Sequence, residues 1–198
     1  MSQFFESIKI HHRRIYNIDA HNRRIAESRK QVLGLDDILD LRDCIVLPES
    51  LDGGLYKCRI SYDQTIQHIE FIPYKPKIIR TLCLIHNDLI RYEHKYKDRS
   101  CLEMLIVENA DDILIIQNGL LTDTSHANIA LFDGLKWFTP RRPLLRGTKR
   151  AVLIEQKLIH EADIRYEHVQ RFHHAALLNA MLDIGDIPFI PVKNIFQA

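Results

Sequence analysis

Three stretches of the chain hold side chains that could do chemistry. Lys95 and Lys97 carry primary amines, which become nucleophiles when burial or a nearby cation lowers the amine pKa. Asp123 lies among hydroxyl-bearing residues, in the stretch LTDTSHAN. Gly147 and Thr148 open a predicted helix, where unpaired N–H groups and the helix dipole favour an anion. An acid and an anion site thus lie within about 30 residues, a grouping that a cofactor site needs.

A fourth feature is the pair His21 and Arg24, which are three residues apart on a predicted helix and therefore share a face. Arg24 can hold a phosphate there with a two-pronged contact. Each of these features also has a plainer interpretation. The alternatives are solvated lysines, a turn aspartate that binds local amides, an ordinary helix cap and a solvated basic face. From the residues alone, both interpretations stay open.

The motifs of several other chemistries are missing from the sequence. It contains no GxGxxG, no P-loop and no GxSxG. The pairs His11-His12 and His173-His174 lack a metal-ligand spacing such as HExxH, so we predict no metal site. The cysteines form no CxxC pair and are predicted to be reduced thiols rather than a disulfide framework; they are Cys44, Cys58, Cys83 and Cys101.

Composition limits the classes of partner. The 198 residues are 46% hydrophobic and 27% charged, which is typical of an ordinary globular protein. A formal net charge of +1 argues against a nucleic-acid or polybasic membrane binder. No apolar run approaches the roughly 20 residues of a membrane span, and the charged N-terminal stretch differs from a signal peptide. We therefore expect a cytoplasmic protein without nucleic-acid or membrane partners.

Periodicity and turn signals predict the elements that position these residues. Residues 4–10 form a strand, with residues 14–18 as its hairpin partner. Residues 20–33 form a helix that Asp19 caps and Gly34 ends, and residues 36–44 form a second short helix. Residues 56–62 alternate apolar and polar side chains, pair with residues 67–72, and precede a strand at 78–85. We place a domain boundary there, giving domains 1–85 and 86–198.

The second half again mixes strands and helices. Ser100 and Glu103 match a capping box for a helix that runs to about residue 108. A short strand at 113–116 ends at the turn Asn118-Gly119, and residues 129–132 and 136–139 form a hairpin. A helix follows at 149–158, then a buried strand at 175–181. Mixed elements in both halves predict an α/β or α+β protein.

Six stretches match, in order and spacing, the motifs of one known family. They are FES at 5–7, HNRRI at 21–25, KYKDR at 95–99, LTDTSHANI at 121–129, TP at 139–140 with LRGTKR at 145–150, and NAM at 179–181. These stretches resemble the F-E-T, H-x-x-R-L, K-x-x-x-R, V-T-E-x-x-x-x-N, T-P with L-x-G-[IT]-x-R, and N-A motifs of class IV pyridoxal-phosphate-dependent aminotransferases (fold type IV). That family includes D-amino acid transaminase, branched-chain aminotransferase and 4-amino-4-deoxychorismate lyase.

The resemblance implies a two-domain α/β (α+β) fold like that of D-amino acid transaminase, pyridoxal 5'-phosphate as cofactor, a small amino-acid-type substrate and a homodimer. Lys95 would form the Schiff base and then move the Cα proton, losing its own proton readily in a cationic pocket. We prefer Lys95 to Lys97 because Arg99 then falls at the fourth position of K-x-x-x-R.

The resemblance also implies how the cofactor is held. Asp123 would face the pyridine nitrogen and keep it protonated. Gly147 and Thr148 would bind the phosphate at the helix start, with Arg24 completing the contact. Two departures from the family pattern stand out. The chain begins at the F-E-T position, which implies a shortened N-terminal domain, and Asp123 is one methylene shorter than the family's glutamate.

The choice of reaction rests on a few positions. Lys95 with Arg99, and Asn179 with its following alanine, favour the lyase, which eliminates pyruvate from 4-amino-4-deoxychorismate and leaves 4-aminobenzoate in folate biosynthesis. The alternatives are a class IV aminotransferase acting on a branched-chain or D-amino acid, and a degenerate non-catalytic member. Arg59, on the polar face of its strand, is predicted to bind a substrate carboxylate, with a plain surface arginine as the alternative. Asn179 is a second candidate for substrate binding.

Overall fold

The computed structural model describes residues 3–197, which divide into two compact units. The first comprises the chain up to Pro76 together with His94–Asp98, and the second comprises Lys77–Glu93 and the chain from Arg99 onward. The division therefore follows Pro76 rather than residue 85. The reason is that the strand over the predicted boundary pairs with strands of the second unit.

Within its described residues, the first unit is a four-stranded antiparallel sheet in the order β2-β1-β3-β4 with two helices. Its elements are β1 (Phe4–His11), β2 (Arg14–Ile15), α1 (Ile18–Leu33), α2 (Leu41–Cys44), β3 (Tyr56–Tyr62) and β4 (Ile66–Pro73). Alternate residues of β1 and β3, such as Ile8 and Ile60, pack with Ile25 of α1 in the core. The predicted alternation of residues 56–62 is confirmed, because Cys58, Ile60 and Tyr62 are all buried.

The second unit is built on a larger mixed sheet. For the residues that the structure describes, nine strands belong to it, seven of them in the order β10-β9-β8-β7-β6-β5-β13, while β11 pairs with β8 and β12. The strands are β5 (Leu82–His86), β6 (Asp112–Gln117), β7 (Leu120–Thr124), β8 (Asn128–Phe132), β9 (Trp137–Pro140), β10 (His160–Ala162), β11 (His174–Leu178), β12 (Ile190–Pro191) and β13 (Ile195–Gln197). The helices are α3 (Ser100–Glu103) and α4 (Thr148–Glu155), with 3-10 turns at Tyr166–Arg171 and Val192–Asn194. The predicted mixed α/β class is confirmed.

Several predicted boundaries were wrong for local reasons. Asn17, in a left-handed conformation with φ 53°, precedes α1, and Asp19 lies inside its first turn. The helix predicted to reach residue 108 ends at Glu103, and Arg99 rather than Ser100 is its N-cap. Strand β5 starts later than predicted because the Asp111 carboxylate accepts the N–H groups of residues 80 and 81. The prediction that Gly34 ends α1 is confirmed, with φ 71° and its N–H bonded to two helix carbonyls.

Candidate active site

Backbone pairing fixes Lys95 in the first unit. The N–H of Phe5 donates to the carbonyl of Lys95 at 3.0 Å, and the N–H of Lys97 donates to the carbonyl of Gln3 at 2.9 Å. The Lys95 amine lies 4.5 Å from the centre of the Phe5 ring, a cation–π contact. Lys95 is half-buried and Lys97 is exposed. The structure thus gives the two lysines different surroundings, which the sequence did not.

An aromatic cluster holds the segment that carries Lys95. The Phe4 ring stacks on Tyr62 and on Tyr96, each at 5.4 Å between ring centres. His94 meets the Phe4 ring edge-on at 6.2 Å. Because neighbouring residues of an extended segment point to opposite sides, residues 94 and 96 pack into the core. Lys95 is consequently directed to the other side of β1, where Phe5 lies.

A buried carboxylate joins His21 and Arg24. Glu6 is fully buried, and its Oε1 accepts from Arg24 Nε at 2.8 Å. Its Oε2 accepts from Arg24 Nη2 and pairs with His21 Nδ1 at 2.6 Å. Arg24 is therefore gripped by two of its nitrogens, which fixes the plane of the guanidinium. The expectation that His21 and Arg24 share a face is met.

The pKa values of Glu6 and His21 are both lowered in this cluster. Burial alone would raise the pKa of Glu6, but the charge of Arg24 and the contacts with His21 outweigh it and lower the pKa to about 2. Burial lowers the pKa of His21, more than its bond to Glu6 raises it, and the charges of Arg24 and Lys95 lower it further. His21 is consequently neutral at pH 7, and it is the Nδ1–H tautomer that can donate to Glu6.

Glu6 is a site residue that we did not single out from the sequence. The signal that would have found it is alternation, since Glu6 occupies the same face of β1 as Phe4, Ile8 and Ile10. An acidic residue on a core-facing position must be paired with a buried cation. The predicted helix supplied that cation in Arg24.

Arg59 lies beside Lys95 in the first unit. Its guanidinium carbon is 5.0 Å from the centre of the Phe5 ring, the ring that the Lys95 amine also contacts. Its Nε is 3.9 Å from a carboxylate oxygen of Glu70, and its side chain is 36% exposed. Such a long and partly exposed ion pair is weak. Arg59 can therefore exchange that partner for another carboxylate.

Asp123 lies inside β7 of the second unit. Its carboxylate is buried, with 5% of the residue exposed. Oδ1 accepts from Asn128 Nδ2 at 2.7 Å, and Oδ2 accepts from the N–H of Leu145 at 2.8 Å. Burial raises the pKa of Asp123 to about 7, although both donors and the charge of Arg150 act in the opposite direction. This is a carboxylate that a cation would stabilise.

The start of α4 has features that favour an anion. Gly147 is its N-cap and, being a glycine, has no side chain to accept the N–H groups of the first turn. No acidic residue occupies the first turn, and Thr148 is buried. The N–H groups of a first turn and the helix dipole favour negative charge at this point. The structure brings this helix start close to Asp123 through Asn128, which lies against both.

Asn179 ends β11 in the second unit. Its Oδ1 accepts from the N–H of Met181 at 2.9 Å, a local turn that ends the strand at Leu178 and not at residue 181 as expected. Leu178 pairs with Asn128 in the sheet, and Asn128 contacts Asp123. Asn179 is the next residue after Leu178.

Among residues 3–197, no group of three or more His, Cys, Asp or Glu side chains could hold a metal ion. Over the same range, no helix has the length and apolar character needed to cross a membrane. The first unit offers an amine and an anchored guanidinium, and the second offers a buried acid and a helix start without acidic residues in its first turn.

A family model and a related protein both match this chain in sequence. A family model described as amino-transferase class IV matches residues 102–195. An uncharacterized protein from Haemophilus influenzae is 36% identical over 185 residues, which are 91% of this chain and 98% of the relative.

Solved structures match over most of the chain. The crystal structure of a candidate 4-amino-4-deoxychorismate lyase from Haemophilus somnus 129PT has a TM-score of 0.84 and 33% identity, covering 91% of this chain and 97% of that one. A fold IV-transaminase from Curtobacterium pusillum has a TM-score of 0.76 and covers 98% of this chain and 82% of its own. At 15% identity, this second likeness shows the fold alone.

Proposed function

Because this chain belongs to the class IV aminotransferase family and is a pyridoxal-phosphate-dependent enzyme, we propose that it is a lyase of the 4-amino-4-deoxychorismate type. Such a lyase eliminates pyruvate from its substrate and leaves 4-aminobenzoate. The observation that carries this proposal is the similarity to the candidate lyase of Haemophilus somnus along nearly the whole chain. Family membership confirms the predicted resemblance, the cofactor and a small amino-acid-type substrate.

The residues fit pyridoxal phosphate. When bound, this cofactor supplies an aldehyde for an amine, a ring nitrogen whose protonation makes the ring an electron sink, and a phosphate. Asp123 suits the ring nitrogen, since a buried carboxylate held by neutral donors is stabilised by a cation. Gly147 and Thr148 suit the phosphate because nothing acidic occupies the first turn of α4. Arg24 suits it as well, with its guanidinium plane fixed by Glu6.

Lys95 is the amine that we assign to the cofactor aldehyde and to proton movement at the substrate α-carbon. Its carbonyl is tied to β1 and its amine rests on Phe5, whereas Lys97 is exposed. A backbone-anchored, half-buried lysine loses less freedom and less hydration on binding than an exposed one. These contacts support Lys95 over Lys97.

Arg59 and Asn179 are the proposed substrate contacts. Arg59 shares the Phe5 ring with Lys95, so a carboxylate bound to it would lie near the reacting amine. Its weak contact with Glu70 leaves it able to accept that carboxylate. We propose Asn179 as a substrate contact because it follows the last residue of β11, Leu178, which pairs with Asn128.

An aminotransferase acting on a branched-chain or D-amino acid is the second candidate. It is favoured by the family model, whose description is amino-transferase class IV. The two reactions need the same amine and the same acid, and they differ in whether pyruvate leaves or a keto acid is released. A homodimer, location in the cytoplasm and a place in folate biosynthesis stay predictions.

A trapping experiment tests the assignment of Lys95. The protein is loaded with pyridoxal phosphate, reduced with borohydride and digested, and the labelled peptide is identified by mass spectrometry. We expect the label on Lys95, its loss in Lys95→Ala, and its retention in the matched control Lys97→Ala. A label on Lys97, or no label, would overturn the assignment.

Turnover assays then separate the two reactions. The lyase predicts pyruvate and 4-aminobenzoate from 4-amino-4-deoxychorismate without any keto-acid acceptor. The aminotransferase predicts that an amino acid from a panel of branched-chain and D-amino acids converts the cofactor to its amine form. Formation of that amine form without pyruvate release would contradict the lyase proposal.

A further inference from the structure

We propose that Asn128 is a positioning residue that ties the Asp123 carboxylate to the start of α4, and that position 147 is a glycine because the Asn128 side chain occupies the space beside it. This inference rests on the proposed function, which gives Asp123 the cofactor ring nitrogen and Gly147 the phosphate. In this proposal Asn128 does not touch the cofactor itself and acts through Asp123 and Gly147.

Asn128 closes a ring of three hydrogen bonds. Its Nδ2 donates to Asp123 Oδ1 at 2.7 Å and to the carbonyl of Leu145 at 2.8 Å. The N–H of Leu145 in turn donates to Asp123 Oδ2 at 2.8 Å. Each of the three residues thus contacts the other two. Both hydrogens of the asparagine amide are used, as are both oxygens of the carboxylate.

The sheet places Asn128 where it can close this ring. Asp123 of β7 and Asn128 of β8 are directly opposite in the antiparallel pairing. Side chains of such a cross-strand pair lie on the same face and meet. Asn128 is also buried, with 5% of the residue exposed. Its orientation is therefore set by strand register and by packing together.

Gly147 is matched to this asparagine. A Cβ added to Gly147 would lie 2.0 Å from Asn128 Oδ1, far inside any allowed contact, and its nearest heavy atoms all belong to Asn128. Gly147 has φ −67° and ψ 142°, a conformation open to any residue. The requirement for glycine at this position consequently comes from space, not from the backbone, and Asn128 takes that space.

The three hydrogen bonds have a mechanical consequence. A ligand that contacted both the acid and the helix start would need these two groups held in one arrangement. Leu145, two residues before Gly147, has both its N–H and its carbonyl in the ring. The carboxylate and the helix start therefore move as one body. This matters more for an aspartate than for a glutamate, because a shorter side chain tolerates less displacement.

The decisive test compares two ligands. One is pyridoxal phosphate, and the other is its analogue with carbon in place of the ring nitrogen. If Asn128 acts through Asp123, then Asn128→Ala weakens binding of pyridoxal phosphate by roughly 10- to 100-fold, as expected for a lost hydrogen bond to a charged group. Binding of the analogue should weaken much less. Asn194→Ala is the matched control, because Asn194 also donates from Nδ2 to a backbone carbonyl, that of Arg80, and should change neither affinity.

A double-mutant cycle tests the role of Gly147. Gly147→Ala should lower both the melting temperature and the affinity for the analogue, since its Cβ collides with Asn128. In the background of Asn128→Ala, adding Gly147→Ala should cost little further, because the collision is gone.

The outcomes that overturn the inference are distinct from failure of the proposed function. Equal losses for both ligands in Asn128→Ala would mean that Asn128 only supports the fold. A full Gly147→Ala penalty in the double variant would mean that glycine is needed for another reason. If the wild-type protein takes up no pyridoxal phosphate, the proposed function fails first, whatever the variants do.

Discussion

The buried acid of the second unit should make the cofactor-free protein less stable as the pH rises. Burial raises the pKa of Asp123 from 3.8 to about 7 in the folded protein. Because the folded pKa is the higher one, the folded state holds this proton more tightly than the unfolded state between these two values. Stability is therefore greatest below pH 4 as far as Asp123 is concerned, and it falls as the pH rises toward 7.

The size of this effect follows from the shift. At about 1.36 kcal/mol per unit, a pKa of about 7 instead of 3.8 corresponds to roughly 4 kcal/mol in total. Linkage places about 2.5 kcal/mol of it between pH 5 and pH 8.

Urea unfolding of cofactor-free wild type and of Asp123→Asn at pH 5, 6, 7 and 8 measures it. We expect the unfolding free energy of the variant, relative to wild type, to increase by about 2.5 kcal/mol across this range. The comparison is needed because the lowered pKa of His21 acts in the opposite direction near pH 6.5. His21 is present in both proteins, so its contribution cancels. In Asp123→Asn, the new amide faces the two donors of the carboxylate, Asn128 Nδ2 and the N–H of Leu145. This changes the unfolding free energy of the variant by an amount that does not depend on pH.

A difference between the two proteins that is constant with pH would refute the reasoning, because it would mean that Asp123 ionises in the folded state as it does in water. Saturating pyridoxal phosphate provides an internal check. If its ring nitrogen pairs with Asp123, the pH dependence of the wild type should flatten. The variant should show no such change.

Two further predictions concern the first unit. Glu6→Gln should lower the unfolding free energy by about 3–5 kcal/mol, because it removes the buried negative charge that faces the Arg24 guanidinium, and it should weaken pyridoxal phosphate binding. The exposed pair Asp36–Lys30 gives the control Asp36→Asn, whose unfolding midpoint should match wild type, and a stable Glu6→Gln with normal cofactor affinity would contradict the assignment. Because the pKa of Glu6 is lowered to about 2, its stabilising effect is complete above pH 4.5 and is lost as the pH falls toward 2. Arg59→Ala should raise the KM for a carboxylate substrate about 10-fold or more with kcat little changed, and an unchanged KM in steady-state assays would exclude Arg59 from substrate binding.

Much of the fold was predictable because local patterns specify it. Apolar alternation over residues 56–62 and the hairpin predicted for residues 129–132 and 136–139 located strands β3, β8 and β9 within one or two residues. Gly34 ended α1 because a left-handed position favours glycine. The order of short motifs identified the family, since a motif depends on side-chain identity and spacing and needs no knowledge of contacts.

Element ends were less predictable, because they depend on side chains from elsewhere in the chain. The start of β5 is set by Asp111, about 30 residues away, whose carboxylate takes the N–H groups of residues 80 and 81. The domain division depends on the same kind of long-range pairing, in which β5 joins β6 and β13. Periodicity within a window carries no information about such partners.

The sequence by itself determined which residue types were available for chemistry and in what order, and only the tertiary structure decided how each is held. Motif spacing favoured Lys95 over Lys97, and pairing with Gln3 and Phe5 then gave the two lysines different surroundings. Glu6 became the partner of Arg24, and Asn128 closed a ring with Asp123, through contacts that join separate elements. The physical reason is that burial and hydrogen bonding depend on three-dimensional neighbours, which chain folding brings together from distant positions.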